Sequence, residues 1–130
     1  MKIDFSTGRG FNLIADIEHH VCVLSSKSGT GKSYFFDLLA VWAKGAGYTV
    51  HRYSSANAPV RPFLFESQER SIMILDDAEL YLSLELMKAL YGKYTHIFIA
   101  SHDIIYMPPN SDAAFYNVDY TFTEMKVRPS

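Results

Sequence analysis

The stretch that most constrains the fold is the apolar run Val21-Cys22-Val23-Leu24, which leads directly into Ser26-Lys27-Ser28-Gly29-Thr30-Gly31-Lys32-Ser33. From Lys32 the pattern turns helical, with Phe35, Leu38, Leu39 and Trp42 at spacings of three and four and Gly45 available to end it. A run without polar alternation is the mark of a strand covered on both faces. A strand, a glycine-bearing loop and a helix are thus contiguous.

The rest of the chain alternates strand and helix signals. Met1, Ile3 and Phe5 alternate with Lys2 and Asp4, and Phe11 to Ile14 offers a hairpin partner across Gly8-Arg9-Gly10. Thr49 to Tyr53 reads as a strand, and Pro59 and Pro62 then break regular structure, leaving room for a short helix. Ser71 to Leu75 is an apolar strand closed by Asp76 and Asp77, Glu79 to Lys93 reads as a helix, and His96 to Ser101 is a further buried strand. A last strand or hairpin is expected between Ala114 and Val127, where Tyr116, Val118, Tyr120 and Phe122 alternate with polar residues. The order predicts an α/β domain with a mainly parallel central sheet, flanked by helices, with the N-terminal hairpin at an edge. On the helix read from Glu79, Leu80, Leu84, Met87 and Tyr91 share one face, while Leu82 and Leu86 fall away from it.

A chain of 130 residues supports one core, so a single domain spanning 1–130 is expected, without a lid or a C-terminal helical domain. A formal charge of -2 and no cluster of Lys and Arg give no electrostatic reason for nucleic-acid binding. The single cysteine, Cys22, reads as a buried, inert thiol and fits a cytoplasmic setting. No signal peptide is expected, and the most apolar stretch, Tyr34 to Ala43, contains Asp37 and falls short of a membrane span. Adjacent His19 and His20 would point to opposite faces of a strand, so no structural metal is assigned to them.

The chemistry starts at the loop. Polyphosphate is held by backbone N–H groups of a tight loop and of a helix N-terminus. Gly29 and Gly31 permit the close backbone approach, Lys32 reaches phosphate, and the Ser33 hydroxyl suits Mg²⁺. Against this stands the reading of a chance Gly-Lys-Ser in a surface turn, which the preceding strand and following helix disfavour. Likewise, Asp76 and Asp77 read either as an acidic pair at a strand end or as the start of a turn capping the next helix.

With these residues the sequence resembles the P-loop NTPase superfamily, whose phosphate loop reads G-x-x-x-x-G-K-[ST], with Ser26 here in place of the first glycine. The resemblance implies a three-layer fold, with ATP as first choice of nucleotide and GTP as second. It implies nucleotide binding by Ser26, Lys27, Ser28, Gly29, Thr30, Gly31, Lys32, Ser33 and the adjoining Tyr34. Ile72-Met73-Ile74-Leu75-Asp76 is similar to the Walker B strand, which implies Mg²⁺ on Ser33 and Asp76. In the ASCE branch, which includes AAA+ and ABC ATPases, an acidic residue follows and activates water. Asp77 stands there in place of the usual glutamate. The segment Ile97 to Asp103 implies a γ-phosphate sensor, with Ser101 at the matched position and His102 as the neighbouring candidate.

The chain lacks an L-S-G-G-Q signature and a recognisable arginine sensor, so the resemblance is to a minimal core whose site a second copy or a partner protein completes. Arg52, Arg61, Arg70 and Arg128 are arginine candidates without a motif. The expected activity is Mg²⁺-dependent ATP binding and hydrolysis. The alternative is an interaction module that binds ATP with negligible hydrolysis, and a small-molecule kinase ranks last for want of an arginine-rich lid.

Overall fold

The computed structural model describes residues 1–24, 31–57, 69–103, 105 and 107–130. The strands are β1 (Lys2–Ser6), β2 (Asn12–Asp16), β3 (Val21–Leu24), β4 (Thr49–Tyr53), β5 (Ser71–Leu75), β6 (His96–Ala100), β7 (Ala113–Tyr120) and β8 (Glu124–Pro129). The helices are α1 (Lys32–Gly45) and α2 (Leu84–Leu90), with a 3-10 turn at Ala78–Leu80. All the strands join one curled, mixed sheet in the order β1-β2-β8-β7-β3-β6-β5-β4.

Two kinds of pairing meet in this sheet. β3 pairs parallel with both β6 and β7, β5 pairs parallel with β6 and β4, and β8 runs parallel to β2. The hairpins β1–β2 and β7–β8 are antiparallel. β3 and β5 are buried at every residue, as their unbroken apolar sequence requires. Their even-numbered residues Cys22, Leu24, Ile72 and Ile74 join Phe98 and Ala100 of β6 in a cluster with Phe35, Phe36 and Leu39 of α1. The odd-numbered Val23, Met73, Leu75, Ile97 and Ile99 pack with Leu86, Met87 and Leu90 of α2. This division follows from the two-residue period of strands.

The expected three-layer P-loop NTPase architecture is corrected here. In β1, β2, β7 and β8 buried positions alternate with exposed or half-buried ones, and Ile3, Leu13, Ala15, Val118, Met125 and Val127 all join the cluster on the α1 side. Ile14 and Phe115, at the alternate positions, are exposed. Among the described residues, that half of the sheet is covered on one face only. The reason lies in chain connectivity: hairpins close with a few residues and bring no crossover helix to the outer face. Among the described residues, the remaining helix on the opposite face is the seven-residue α2.

The helix read over Glu79 to Lys93 is also corrected. Ala78–Leu80 forms a 3-10 turn, and α2 starts only after Ser83, whose Oγ accepts a hydrogen bond from Leu86 N at 3.1 Å. This cap satisfies a first-turn N–H and sets the start of the helix. The later start changes the buried face: Leu86, Met87 and Leu90 are inside, whereas Leu80 and Leu84 are exposed. At the end of α1, Gly45 remains helical and Gly47 (φ 89°) makes the turn. Gly47 N and Tyr48 N donate to the Lys44 and Ala43 carbonyls, the paired bonds of a Schellman motif.

Phe98 joins the central strand β6 to α1, its ring centroid 5.9 Å from that of Phe35 in an edge-on arrangement. Phe98→Ala is expected to cost about 3–5 kcal/mol through lost burial and a residual cavity, measured as a fall in the urea midpoint at unchanged slope.

Candidate functional site

The parallel register brings the carboxyl ends of β3, β5 and β6 to one edge of the sheet, where open sheets leave a crevice. A cleft of about 310 Å³ lies there, lined by Gly31, Lys32, Ser33, Tyr34, Asp76, Asp77, Glu79, Ala100, Ser101 and His102. Three segments distant in sequence thus meet: the first turn of α1, the end of β5 and the end of β6. Of the residues read as nucleotide-binding, Gly31, Lys32, Ser33 and Tyr34 line this cleft. Ser26, Lys27, Ser28, Gly29 and Thr30 lie outside the described residues, as does Arg61.

Gly31 is the N-cap of α1 at φ 86°, a conformation that glycine adopts without steric cost. An added Cβ would lie 2.9 Å from the Tyr120 ring. The first N–H groups of a helix lack intrahelical acceptors and carry the positive end of its dipole. Lys32 is buried in the cleft wall, whereas Ser33 and Tyr34 are exposed. The Tyr34 ring stacks on Phe11 with centroids 5.5 Å apart.

Asp76 extends the even-numbered face of β5, toward α1. Its N–H donates to the Tyr53 carbonyl at 2.8 Å, and its carbonyl accepts from the Tyr81 hydroxyl at 2.6 Å. Burial, followed by the nearby Asp76, Asp77 and Glu79 charges, pushes the Tyr81 hydroxyl well above the ordinary tyrosine range, so it acts as a donor. The Asp76 carboxylate meets Arg52 of β4 at 3.3 Å, and the same guanidinium reaches Asp37 of α1 at 2.6 Å. Asp77 is exposed in the left-handed region at φ 50° and makes no side-chain cap to the 3-10 turn after it. A non-glycine residue held there at a cleft carries strain of the kind concentrated at functional sites.

Ser101 is buried and its hydroxyl is committed locally, donating to the Asp103 carbonyl at 3.0 Å and accepting from Asp103 N at 3.1 Å. His102 is exposed, and its backbone N–H donates to Glu79 Oε2 at 3.3 Å. Glu79 in the cleft and Tyr81 behind Asp76 carried no assigned role in the sequence, and Arg52, read there only as an arginine candidate without a motif, pairs with Asp76 and Asp37. Arg52 shares a strand face with Val50, whose side packs on the α1 cluster, and that period was the signal available for placing it beside Asp76.

The donors offered to a cation are the Ser33 hydroxyl and the carboxylates of Asp76, Asp77 and Glu79, all hard oxygens. Among the described residues no group of three His, Cys, Asp or Glu side chains is arranged to hold a metal by itself. This set fits Mg²⁺, which binds through one or two carboxylates together with phosphates and water instead of an all-protein cage.

His19, His20 and His96 lie at the opposite end of β3. His20 Nδ1 donates to the Thr95 carbonyl at 3.1 Å, and Nε2 accepts from Gly92 N at 3.0 Å. His19 Nδ1 lies 2.8 Å from the Tyr116 hydroxyl, and His96 Nδ1 donates to the His19 carbonyl at 3.1 Å. Burial lowers the His96 pKa, only partly offset by that hydrogen bond. Cys22 is buried beside them, its thiol pushed up to about 12 by burial and then by Asp112. It is a core group, not a nucleophile.

Comparison with family models, with curated proteins and with solved structures finds no match to this chain. With half of the sheet covered on one face only, the membership of the P-loop NTPase superfamily implied by the resemblance is withdrawn. No helix among the described residues is long and apolar enough to cross a membrane.

Two outcomes follow from this geometry. Gly31→Ala should destabilise the protein by about 1–2 kcal/mol through its positive φ and the Tyr120 contact, read by thermal unfolding. Because burial depresses the His96 pKa, the unfolded state binds the proton more tightly. Stability present above about pH 6.5 is then lost as pH falls. The drop in unfolding midpoint between about pH 7.5 and about pH 5 should be smaller in His96→Asn, which keeps a donor but does not titrate.

Proposed function

We propose that the cleft binds a nucleoside triphosphate, ATP in the first instance, with Mg²⁺, and hydrolyses its terminal phosphoanhydride bond. The observation that carries this reading is the convergence of Lys32 and Ser33, Asp76 and Asp77, and Ser101 and His102 on one cleft. Lysine and a helix N-terminus are suited to phosphate oxygens, while a hydroxyl and carboxylates are suited to a hard cation. The groups for both charges are present side by side.

In this reading Lys32 and the amides of the first α1 turn bind the phosphates. Ser33 and Asp76 hold Mg²⁺, which when bound neutralises charge on the phosphate oxygens. Arg52 orients the Asp76 carboxylate, and Tyr81 holds its backbone. Asp77 orients a water and takes its proton as the water attacks the terminal phosphorus; the bridging oxygen departs with the diphosphate. Ser101 or His102 senses the terminal phosphate. Arg52 is engaged with Asp37 and Asp76, so an arginine facing the terminal phosphate would come from a second copy or a partner protein. The setting proposed is cytoplasmic.

One observation favours a second reading, an interaction module whose surface responds to bound nucleotide with negligible turnover. The Ser101 hydroxyl is already engaged by the Asp103 backbone, which leaves hydrolysis with a poorer sensor than binding requires.

Calorimetric titration with Mg-ATP and a phosphate-release assay test both. Lys32→Ala is expected to bind at least about tenfold more weakly, and binding equal to wild type would refute the phosphate assignment. Asp77→Asn should retain binding and lose turnover by about 10²–10⁴-fold. Binding without phosphate release in the wild type supports the module.

A further inference from the structure

We infer that Tyr120, at the end of β7, is the stacking platform for the nucleobase of the bound nucleotide. This rests on the phosphate-binding reading of the cleft and adds a separate subsite to it.

The direction of the ligand comes from the strand order. Asp76 and Asp77 follow β5 and Ser101 follows β6, so these strands mark the terminal-phosphate side of the cleft. β3 lies next to β6, and β7 lies on the other side of β3. With the terminal phosphate toward β5 and β6, the nucleoside end of the ligand leaves toward β7.

β7 is built to meet it. Val23 of β3 is level with Phe115 of β7, yet β7 continues to Tyr120. At about 3.3 Å per residue it overhangs that level by about 16 Å. Tyr116 and Val118 belong to the α1-side cluster, and Tyr120 has the same parity. Its ring comes within 2.9 Å of the position a Cβ on Gly31 would take, so it borders the residue that starts α1 and lines the cleft. Tyr120 remains 51% exposed despite that contact. An aromatic ring packed on a phosphate-cleft glycine and still open to solvent offers a surface for a flat, apolar group. Tyr34, which lines the cleft itself, is already stacked on Phe11.

The occupant is a purine or pyrimidine base, because stacking on an aromatic side chain uses the π-face that every base has. Stacking of this kind does not depend on the edge of the base, so the platform is expected to accept ATP and GTP with similar affinity.

The test compares Mg-ATP with Mg-tripolyphosphate, which has the phosphates but no base, by calorimetric titration of wild type, Tyr120→Ala and Tyr120→Phe. The expected result is about a tenfold loss of ATP affinity in Tyr120→Ala, with tripolyphosphate binding unchanged and both ligands retained in Tyr120→Phe. Unchanged tripolyphosphate binding also shows that the variant is folded with its phosphate site intact. Equal weakening of both ligands, or no weakening of ATP, overturns the base subsite and leaves the phosphate site standing. Failure of wild type to bind either ligand overturns the phosphate reading, and the subsite with it.

Discussion

The structure depends on the complete burial of β3. Every residue from Val21 to Leu24 is inside, and the strand pairs on one side with β6 and on the other with β7. A strand so enclosed must place all its backbone polar groups in the sheet or at its ends, because burying them unpaired would be costly. It must also offer apolar side chains to both faces. The sheet is therefore ordered from this strand outward, and the carboxyl end of β3 fixes where α1 starts relative to β5 and β6.

The cleft is a consequence of that placement. β5 and β6 finish beside β3, and their first polar residues, Asp76 and Ser101, come to its mouth. Local interactions then refine each group. Tyr81 and Tyr53 hold the Asp76 peptide, Arg52 spans Asp76 and Asp37, and the Ser101 hydroxyl closes a turn with Asp103. The opposite end of β3 is filled by hydrogen-bonded histidines and a buried thiol, so the two ends of one strand serve different ends. One is packed and satisfied; the other is open and charged.

The two halves of the sheet differ because their connections differ. Where strands run parallel through β3, β6 and β5, the chain must cross over, and helical segments cover the faces. Where hairpins add β1, β2, β8 and the long overhang of β7, no crossover is needed and one face meets solvent. This one-sided half corrects the expectation of helical layers throughout, and it also creates the overhang that carries Tyr120 to Gly31.

Several features were legible in the residues themselves. The unbroken apolar runs at Val21–Leu24 and Ser71–Leu75 marked covered strands, and spacings of three and four marked α1. The strand-end positions of Asp76 and Ser101 and the helix-start positions of Lys32 and Ser33 were legible for the same reason: a change of period or polarity is a local property. Less legible was the start of α2, where a single Ser83 cap outweighed the apolar pattern around Leu80 and Leu82.

By itself, the sequence determined where the buried strands and α1 lie, which positions carry charge, and that Cys22 is a core residue, since hydrophobic period and local turn chemistry act over a few residues. Only the tertiary structure decided that the C-terminal hairpin lies between β3 and the N-terminal hairpin, that among the described residues half the sheet is covered on one face, that Glu79 lines the cleft and that Arg52 pairs with Asp76. Those outcomes depend on which strand edges pair over long sequence separations, and a strand's own residues specify its faces more strongly than its neighbours.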